Sequence, residues 1–541
     1  MIKHGDKDGQ SPNVAKLLLE ATRCNNEGHI NDAKKLCEQV LAYMPDQSDA
    51  LHLSGVLAHK SGDSLRAADF INRALHNNPN LPNGWFNLAR CYRDMNDEEG
   101  ACRALKAANI KTPDNPAIMF ELGKLLSETG KLDEAEVWLK HCLHLDQHSA
   151  ISRIELGILQ MKLRRWTEAA KHLETALQID PTIVVAYTNL ALVRDNQGRH
   201  DEVLEHYEAA IERRPSHAEA RFQHALALLS RKSFKSGWSE HVWRFKSKTT
   251  KTSDGRFKLP YWNGEPLDGE KLLVWTEQGP GDEILLASML QDILNRGARC
   301  TLLCSPRMIP IFQRSFPDLD HVLPFNVITE DPQYTKLTYQ ASLSHLGLQL
   351  RDTEKNFPQH EGYLRADSAS TQRLRAKYKG RGNKKLVGIS WKSSNISASA
   401  EKSTDPVLWR EILNIENVVF VSLQYGDCEE EISMMKRRFG VDIINDISID
   451  PLANMDLFAA QVAAMDLVIS VSNTSVHVAG ALNIPVWIFI PAGTGRIWYW
   501  FLNRTDSLWY PSARLYRQPK PNNWKPAFNA VANDLAEWAA Q

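Results

Sequence analysis

Three short stretches hold most of the side chains fit for chemistry. In WTEQGPGDEILLASML, residues 275–290, Gly279, Pro280, Gly281 and Asp282 lie between an apolar run and a helical pattern. A carboxylate at such a turn can draw a proton from an attacking hydroxyl; it can equally cap a helix that begins at Glu283. After LVGISW come Lys392, Ser393, Ser394 and Asn395. After DLVIS comes SVSNTSVHVAGAL, in which Ser472, Asn473, Thr474 and Ser475 open a short helix and His477 falls on its first turn. The unpaired N–H groups and dipole of a helix start suit a diphosphate, and the hydroxyls and imidazole add donors. The same residues also fit an ordinary capped helix with a satisfied histidine.

Strands must stand behind these stretches. Apolar runs at 271–276, 300–305, 386–391, 417–423, 467–471 and 486–490 read as strands, separated by helical patterns such as Leu285, Leu286, Met289, Leu290 and Ile293. This alternation implies parallel sheets covered on both faces. Each polar stretch then follows the carboxyl end of a strand, where such folds bind ligands. The basic KYKGRGNKK, 377–385, reads as a hinge between two Rossmann-like lobes, 270–378 and 379–541. The first stretch does not complete a dinucleotide fingerprint, because Ile284 stands where G-x-G-x-x-G needs its third glycine.

The first half of the chain is built differently. Prolines at 45, 79, 113, 181 and 215 are separated by 34, 34, 68 and 34 residues, with Gln147 at the missing site. Small residues recur in step: Ala33, Ala67, Ala101, Ala135 and Ala169 in one column, with Val203 the exception, and Ala21, Gly55, Ala89, Gly123, Gly157 and Ala191 in another. A third contains Ala74, Ala108, Cys142, Ala176 and Ala210. The pattern resembles the tetratricopeptide repeat, two antiparallel helices per unit that must stack to bury their apolar faces. Residues 13–247 are thus expected to form an α-solenoid, ending in SGWSEHVWRF as a cap, with 248–269 as a connector. One polar column reads Asn87, Glu121, Glu155, Asn189, Gln223. Its amides, Asn87, Asn189 and Gln223, can hold a peptide backbone by donating and accepting at once; asparagines so placed do this in the resembling repeats of O-linked N-acetylglucosamine transferases. A solvated helix face would be polar as well.

LLVWTEQGPGDEILLASML, LVGISW, VVFVSLQ, DLVISVSNTSVHVAGALNIPVW and WYPSARLYRQ together resemble bacterial glycosyltransferases related to lipopolysaccharide heptosyltransferases, in the subgroup with amino-terminal tetratricopeptide repeats. The resemblance covers nearly the whole chain, including WNGEPLDG and the cap. It implies a two-lobe GT-B fold, a nucleotide-sugar co-substrate, no bound metal, and an inverting transfer. Asp282 matches the family's proposed general base beside Gly279 and Gly281, on the acceptor lobe. SNTSVHVAGAL matches the donor phosphate loop: Thr474, His477 and Gly480 agree, and Asn473 replaces the usual aspartate. Lys402 and Gln424 fall near positions that face the nucleotide. With Lys392, Ser472 and Ser475 these residues form the expected donor site.

Composition narrows the choices. With 64 basic and 65 acidic residues there is no global field to attract nucleic acid or an anionic membrane. MIKHGDKDGQ lacks the core of a signal peptide, and no apolar run approaches bilayer length, so a cytoplasmic protein is expected. The eight cysteines lack the paired spacing of a zinc or redox site. The aromatics Trp498, Tyr499, Trp500, Trp509 and Tyr510 either line a pocket or pack a lobe junction. Three functions result as expectations. The first is a glycosyltransferase acting on Ser or Thr of a protein held by the repeats, flagellin being an acceptor by analogy. The second is a transferase acting on a saccharide or lipid-linked glycan. The third is a repeat scaffold whose transferase region no longer catalyses.

Overall fold

The computed structural model describes residues 13–247, 257–325, 337–380, 384–393 and 399–541. Ser394 and Asn395, and residues 248–256 of the connector, lie outside the described residues. The chain divides into two compact units after Leu190. This division falls earlier than the end of the repeats at 247, so the last repeat helices and the cap are compact with the strands.

The first unit is a run of paired helices. Second helices begin at Ile30, Ser64, Glu98, Leu132 and Trp166, 34 residues apart, and the same spacing continues in the second unit at His200 and Phe234. Asn13, Gln47, Asp63, Asp97, Asn115 and Ser149 cap helices with their side chains, satisfying N–H groups that a helix start leaves open. The small columns are the contact seams. Ala33, Ala67, Ala101, Ala135 and Ala169 are wholly buried. A Cβ on Gly55, Gly123 or Gly157 would come within 2.5, 2.7 and 2.9 Å of Ile71, Leu139 and Leu173. The turn inside each repeat places one residue in the left-handed region: Gly28, Gly62, Asn96, Gly130 and Arg164 in this unit, Gly198 and Lys232 in the next.

The second unit contains two parallel sheets flanked by helices. β1 (Lys271–Trp275), β2 (Arg299–Cys304), β3 (His321–Pro324) and β4 (Tyr339–Ser342) pair in the order β3-β2-β1-β4. β5 (Lys385–Ser390), β6 (Val418–Ser422), β7 (Ile443–Ile444), β8 (Leu467–Val471), β9 (Val486–Ile490) and β10 (Ala513–Arg517) pair in the order β10-β9-β8-β5-β6-β7. β1, β5, β8 and β9 are almost continuously buried, the pattern of strands covered on both faces. Residues 377–379, read as the start of a hinge, instead close the helix Ser368–Lys379. Lys377 and Tyr378 both bond to Asp446 at 2.7 Å, and Tyr378 also accepts from Gln461, so this segment is fixed to the second sheet's helices and loops.

The cap is joined to the first sheet by a buried ion pair. After the helix Phe234–His241, the turn Val242–Phe245 carries Arg244, whose Nε and Nη2 donate to the two oxygens of Glu277 at 2.8 and 2.9 Å. Both side chains are 1% exposed. Arg244 also donates to Ser342 and to the His241 carbonyl, and Ser344 donates to Glu277. Burial pushes the Glu277 carboxyl up, but Arg244 and the hydroxyls outweigh it and hold it below its ordinary value. Beside this network Trp238 donates to the Arg351 carbonyl at 3.1 Å, over Gly347, where a Cβ would sit 2.5 Å from the indole. Among the described residues no helix is long and apolar enough to cross a membrane. Removing one member of a buried pair strands the other charge. Arg244→Ala should therefore cost about 3–5 kcal/mol in urea denaturation at pH 7, and Arg244→Ala with Glu277→Ala should recover part of it.

Candidate functional site

The first polar stretch forms a helix that starts earlier than the sequence indicated. It runs Pro280–Ala287 with Gly279 as N-cap, so Asp282 lies within its first turn and is not the cap of a helix beginning at Glu283. Proline is well suited to the first helical position, because its missing N–H would have no partner there. From the third position Asp282 reaches back to accept from the Gly279 N–H. Glu283, on the neighbouring position, turns inward and accepts from Ser305 through both backbone and hydroxyl. Asp282 is half-buried. Burial raises its carboxyl to about 6, against the downward pull of the Gly279 N–H and of Lys402.

The third stretch forms the helix Thr474–Ala481, capped by Asn473, whose Oδ1 accepts from the Ser475 N–H. The Asn473 amide donates to Ser390 Oγ at 2.7 Å and to the Lys392 carbonyl at 3.2 Å, tying the ends of β8 and β5 together. An aspartate could not make those two donations. Gln424 acts similarly from the end of β6: its Oε1 accepts from Ser390, from the Trp391 N–H and from the Lys392 N–H at 2.9–3.0 Å. The Ser472 hydroxyl accepts from Trp500, and that of Ser475 donates to the Leu423 carbonyl. Thr474 is half-buried and its side chain makes no hydrogen bond among the described residues.

His477 is a satisfied histidine. It is 2% exposed, with Nδ1 2.9 Å from Tyr510 Oη, Nε2 3.2 Å from Tyr499 Oη, and its ring stacked on Trp500. Burial, with Lys402 adding to it, lowers the imidazole to about 3, so it is neutral near pH 7. These tyrosines belong to the aromatic run at 498–510, of which Tyr499, Trp500, Trp509 and Tyr510 are buried packing groups. Their pairing with His477 left no mark in spacing or periodicity. Tyr363 was missed for the same reason: it donates to the Ile284 carbonyl at 2.8 Å while its own N–H bonds to Ala481, holding the helix of Asp282 beside that of His477. The approach is close. A Cβ on Gly281 would lie 2.8 Å from the His477 ring.

Lys402 completes this region. It ends the short helix Ser399–Lys402, is 5% exposed, and has no hydrogen-bond or ion-pair partner among the described residues. Burial lowers its ammonium, opposed by the charges of Asp282 and Glu401. Lys392 is engaged elsewhere, on Glu431 at 2.7 Å and on the Asp427 carbonyl. The structure thus brings Asp282, Gly281, Lys402, Thr474 and His477 into one region, with Asn473, Gln424, Ser472 and Ser475 building its walls. The amide column of the repeats is partly engaged. In the first unit Asn87 bonds to His52 at 3.0 Å and Asn189 to its own helix at the Val185 carbonyl, while Glu121 pairs with Arg93. In the second unit Gln223 is half-buried.

The family described as the tetratricopeptide repeat matches residues 26–82, 116–149 and 188–236. The repeats are tetratricopeptide repeats. The whole chain is also similar to Protein FlbA of Caulobacter vibrioides, 29% identical over 567 aligned residues that cover 100% of this chain and 86% of that protein. The tetratricopeptide repeat-containing protein YpiA of Bacillus subtilis is 27% identical over 134 residues, 25% of this chain and 32% of its own length. Among solved structures, MamA aligns with 30% of this chain and 96% of its own, at 21% identity and a TM-score of 0.29.

The carboxyl of Asp282 supplies a pH test that needs no assay of activity. Its ordinary value is 3.8 and its folded value about 6, so the folded chain holds this proton more tightly. Stability from this group is present below pH about 4 and is lost as pH rises through about 6. Asp282→Asn removes the dependence, and Asn can still accept from the Gly279 N–H. From pH 4 to pH 7 the variant should gain about 1–2 kcal/mol relative to the parent in denaturant titrations, allowing for partial solvent screening.

Proposed function

We propose that the chain transfers a sugar from a nucleotide-sugar donor to a Ser or Thr hydroxyl of a polypeptide bound by the tetratricopeptide repeats. One observation carries this reading: a half-buried carboxylate with a pKa near 6 lies within electrostatic reach of Lys402, a buried ammonium without a partner among the described residues. The helix start at Thr474 lies in the same region. A base and an anion site side by side are what glycosyl transfer requires. The acceptor oxygen attacks the anomeric carbon as that carbon's bond to the phosphate oxygen breaks. The hydroxyl proton passes to Asp282, and the bonding pair leaves with the diphosphate toward Lys402 and the helix start. Displacement from the opposite side inverts the anomeric centre. The resemblance to repeat-bearing glycosyltransferases points the same way, and repeat solenoids ordinarily bind polypeptide; flagellin is the acceptor that the shared layout suggests.

A repeat scaffold without catalysis is the second reading. It is favoured by how much of the polar machinery is already used: Asn473, Gln424, Lys392 and both nitrogens of His477 are engaged within the protein. Of the described residues expected to hold the donor, Lys402 and Thr474 have side chains without a hydrogen-bond partner among the described residues.

Thermal-shift measurements against a panel of nucleotide sugars separate the two. The transferase reading expects a shift of several degrees with one donor, abolished in Lys402→Ala; no shift with any donor leaves the scaffold. With a donor in hand and intact mass as the readout, Asp282→Asn should lower the transfer rate about 10²- to 10⁴-fold while retaining donor binding. The parent's rate should rise as pH passes about 6 and Asp282 ionises; full turnover by the Asn variant would remove Asp282 from the chemistry.

A further inference from the structure

Between the helix of Asp282 and that of His477, four side chains form a series of hydrogen bonds whose protons can be followed one by one. The Ile284 carbonyl, which the Ser288 N–H passes over for Leu285, accepts from Tyr363 Oη at 2.8 Å. A carbonyl can only accept, so the single proton of Tyr363 is spent there. Tyr510 lies within hydrogen-bonding reach of Tyr363 and must therefore donate to it. Its hydroxyl then has only lone pairs for His477 Nδ1, 2.9 Å away, which places the imidazole proton on Nδ1. His477 is neutral near pH 7 and has one proton to give. Nε2 is thus an acceptor and takes the Tyr499 proton at 3.2 Å. Tyr499 Oη is left with lone pairs alone.

This end of the series lies beside the start of the Asp282 helix. Tyr499 is 3% exposed and feels the charge of Asp282, and a Cβ on Gly281 would lie 3.2 Å from His477 Nε2. An oxygen with only lone pairs to offer favours a protonated carboxyl and disfavours a carboxylate. The other groups that face Asp282 are the Gly279 N–H and Lys402, which favour the carboxylate, and Glu277 and Glu283, which oppose it. Lys402 also acts on His477, from the helix Ser399–Lys402. Substitutions at the tyrosines leave all of these in place.

We propose that Tyr363, Tyr510, His477 and Tyr499 form one directed hydrogen-bond chain, and that Tyr363 and Tyr499 are thereby positioning residues that keep Asp282 a proton acceptor. The inference rests on the transferase reading above. A general base must be ionised at working pH and still take a proton readily. Were Tyr499 to donate to Asp282, the carboxylate would be stabilised and would draw less strongly on the acceptor hydroxyl. The direction is decided at the far end, by the Ile284 carbonyl. With Phe at 363, Tyr510 loses its acceptor and turns its proton to His477 Nδ1. The imidazole then carries its proton on Nε2 and donates to Tyr499, whose own proton is released toward Asp282.

Denaturant titrations of the full chain across pH test this. Each background is paired with its Asp282→Asn variant, so that the difference reports the Asp282 midpoint, about 6 in the parent. Tyr499→Phe removes the lone pairs and should lower the midpoint by about half a pH unit; Tyr363→Phe supplies a donor and should lower it more, by about one unit. In the double variant, Tyr363→Phe should add nothing to Tyr499→Phe, because its effect travels through Tyr499. Nitrogen NMR of the histidine-labelled chain should find the His477 proton on Nδ1 in the parent and on Nε2 in Tyr363→Phe, the signal being identified by its loss in His477→Gln. A lower melting temperature with an unmoved midpoint, additive effects in the double variant, or an unchanged tautomer overturns the chain. Should Tyr363→Phe not fold, an unmoved midpoint in Tyr499→Phe still overturns it. None of these readouts uses a donor, so an empty nucleotide-sugar panel overturns the transferase reading separately, and with it the catalytic purpose given to Tyr363 and Tyr499.

Discussion

Glu277 cannot be buried alone. A carboxylate at 1% exposure is tolerated only because Arg244 meets both of its oxygens and Ser344 adds a donor. Arg244 comes from the turn that ends the repeats, and Glu277 from the loop that leaves β1, so the cap and that loop must fold against each other. That loop leads within a few residues to Gly279 and the helix of Asp282. The position of the candidate base thus depends on the end of the repeat region, and Trp238 over Gly347 strengthens the same junction.

Within the candidate site, polar groups divide into those consumed by architecture and those left open. Asn473, Gln424, Ser472 and Ser475 stitch strand ends together, and His477 is held between two tyrosines. Lys402, Thr474 and Asp282 are less engaged. A buried ammonium without a partner is costly. Here the charges of Asp282 and Glu401 oppose the effect of burial on the Lys402 ammonium.

Much of this was legible in the sequence. The repeat announced itself because every unit solves the same packing problem, so small residues return at fixed spacing; the six proposed strands appeared because parallel strands buried on both faces are apolar throughout. β3, β4, β7 and β10 escaped notice. β7 has two residues, β4 is YQAS, and β10 is ARLYR, its apolar run broken by two arginines. The start of Asp282's helix was misplaced by three residues, because Pro280 was read as part of a loop and not as a first helical residue. Contacts between distant elements, such as Tyr363 with Ile284 or Tyr499 with His477, have no periodic signature at all.

The turn within each repeat has its own implication. Four of the seven left-handed positions are glycine, while Asn96, Arg164 and Lys232 adopt the same backbone shape despite their side chains. A side chain there is disfavoured by roughly 1 kcal/mol, a sum that each helix pair can absorb from its own packing. The stacking, more than the residue, dictates the turn. An array copied by duplication can therefore drift at these positions one repeat at a time, which makes turn glycines a poor guide, and the alanine seams a better one, for recognising distant descendants of the same repeat.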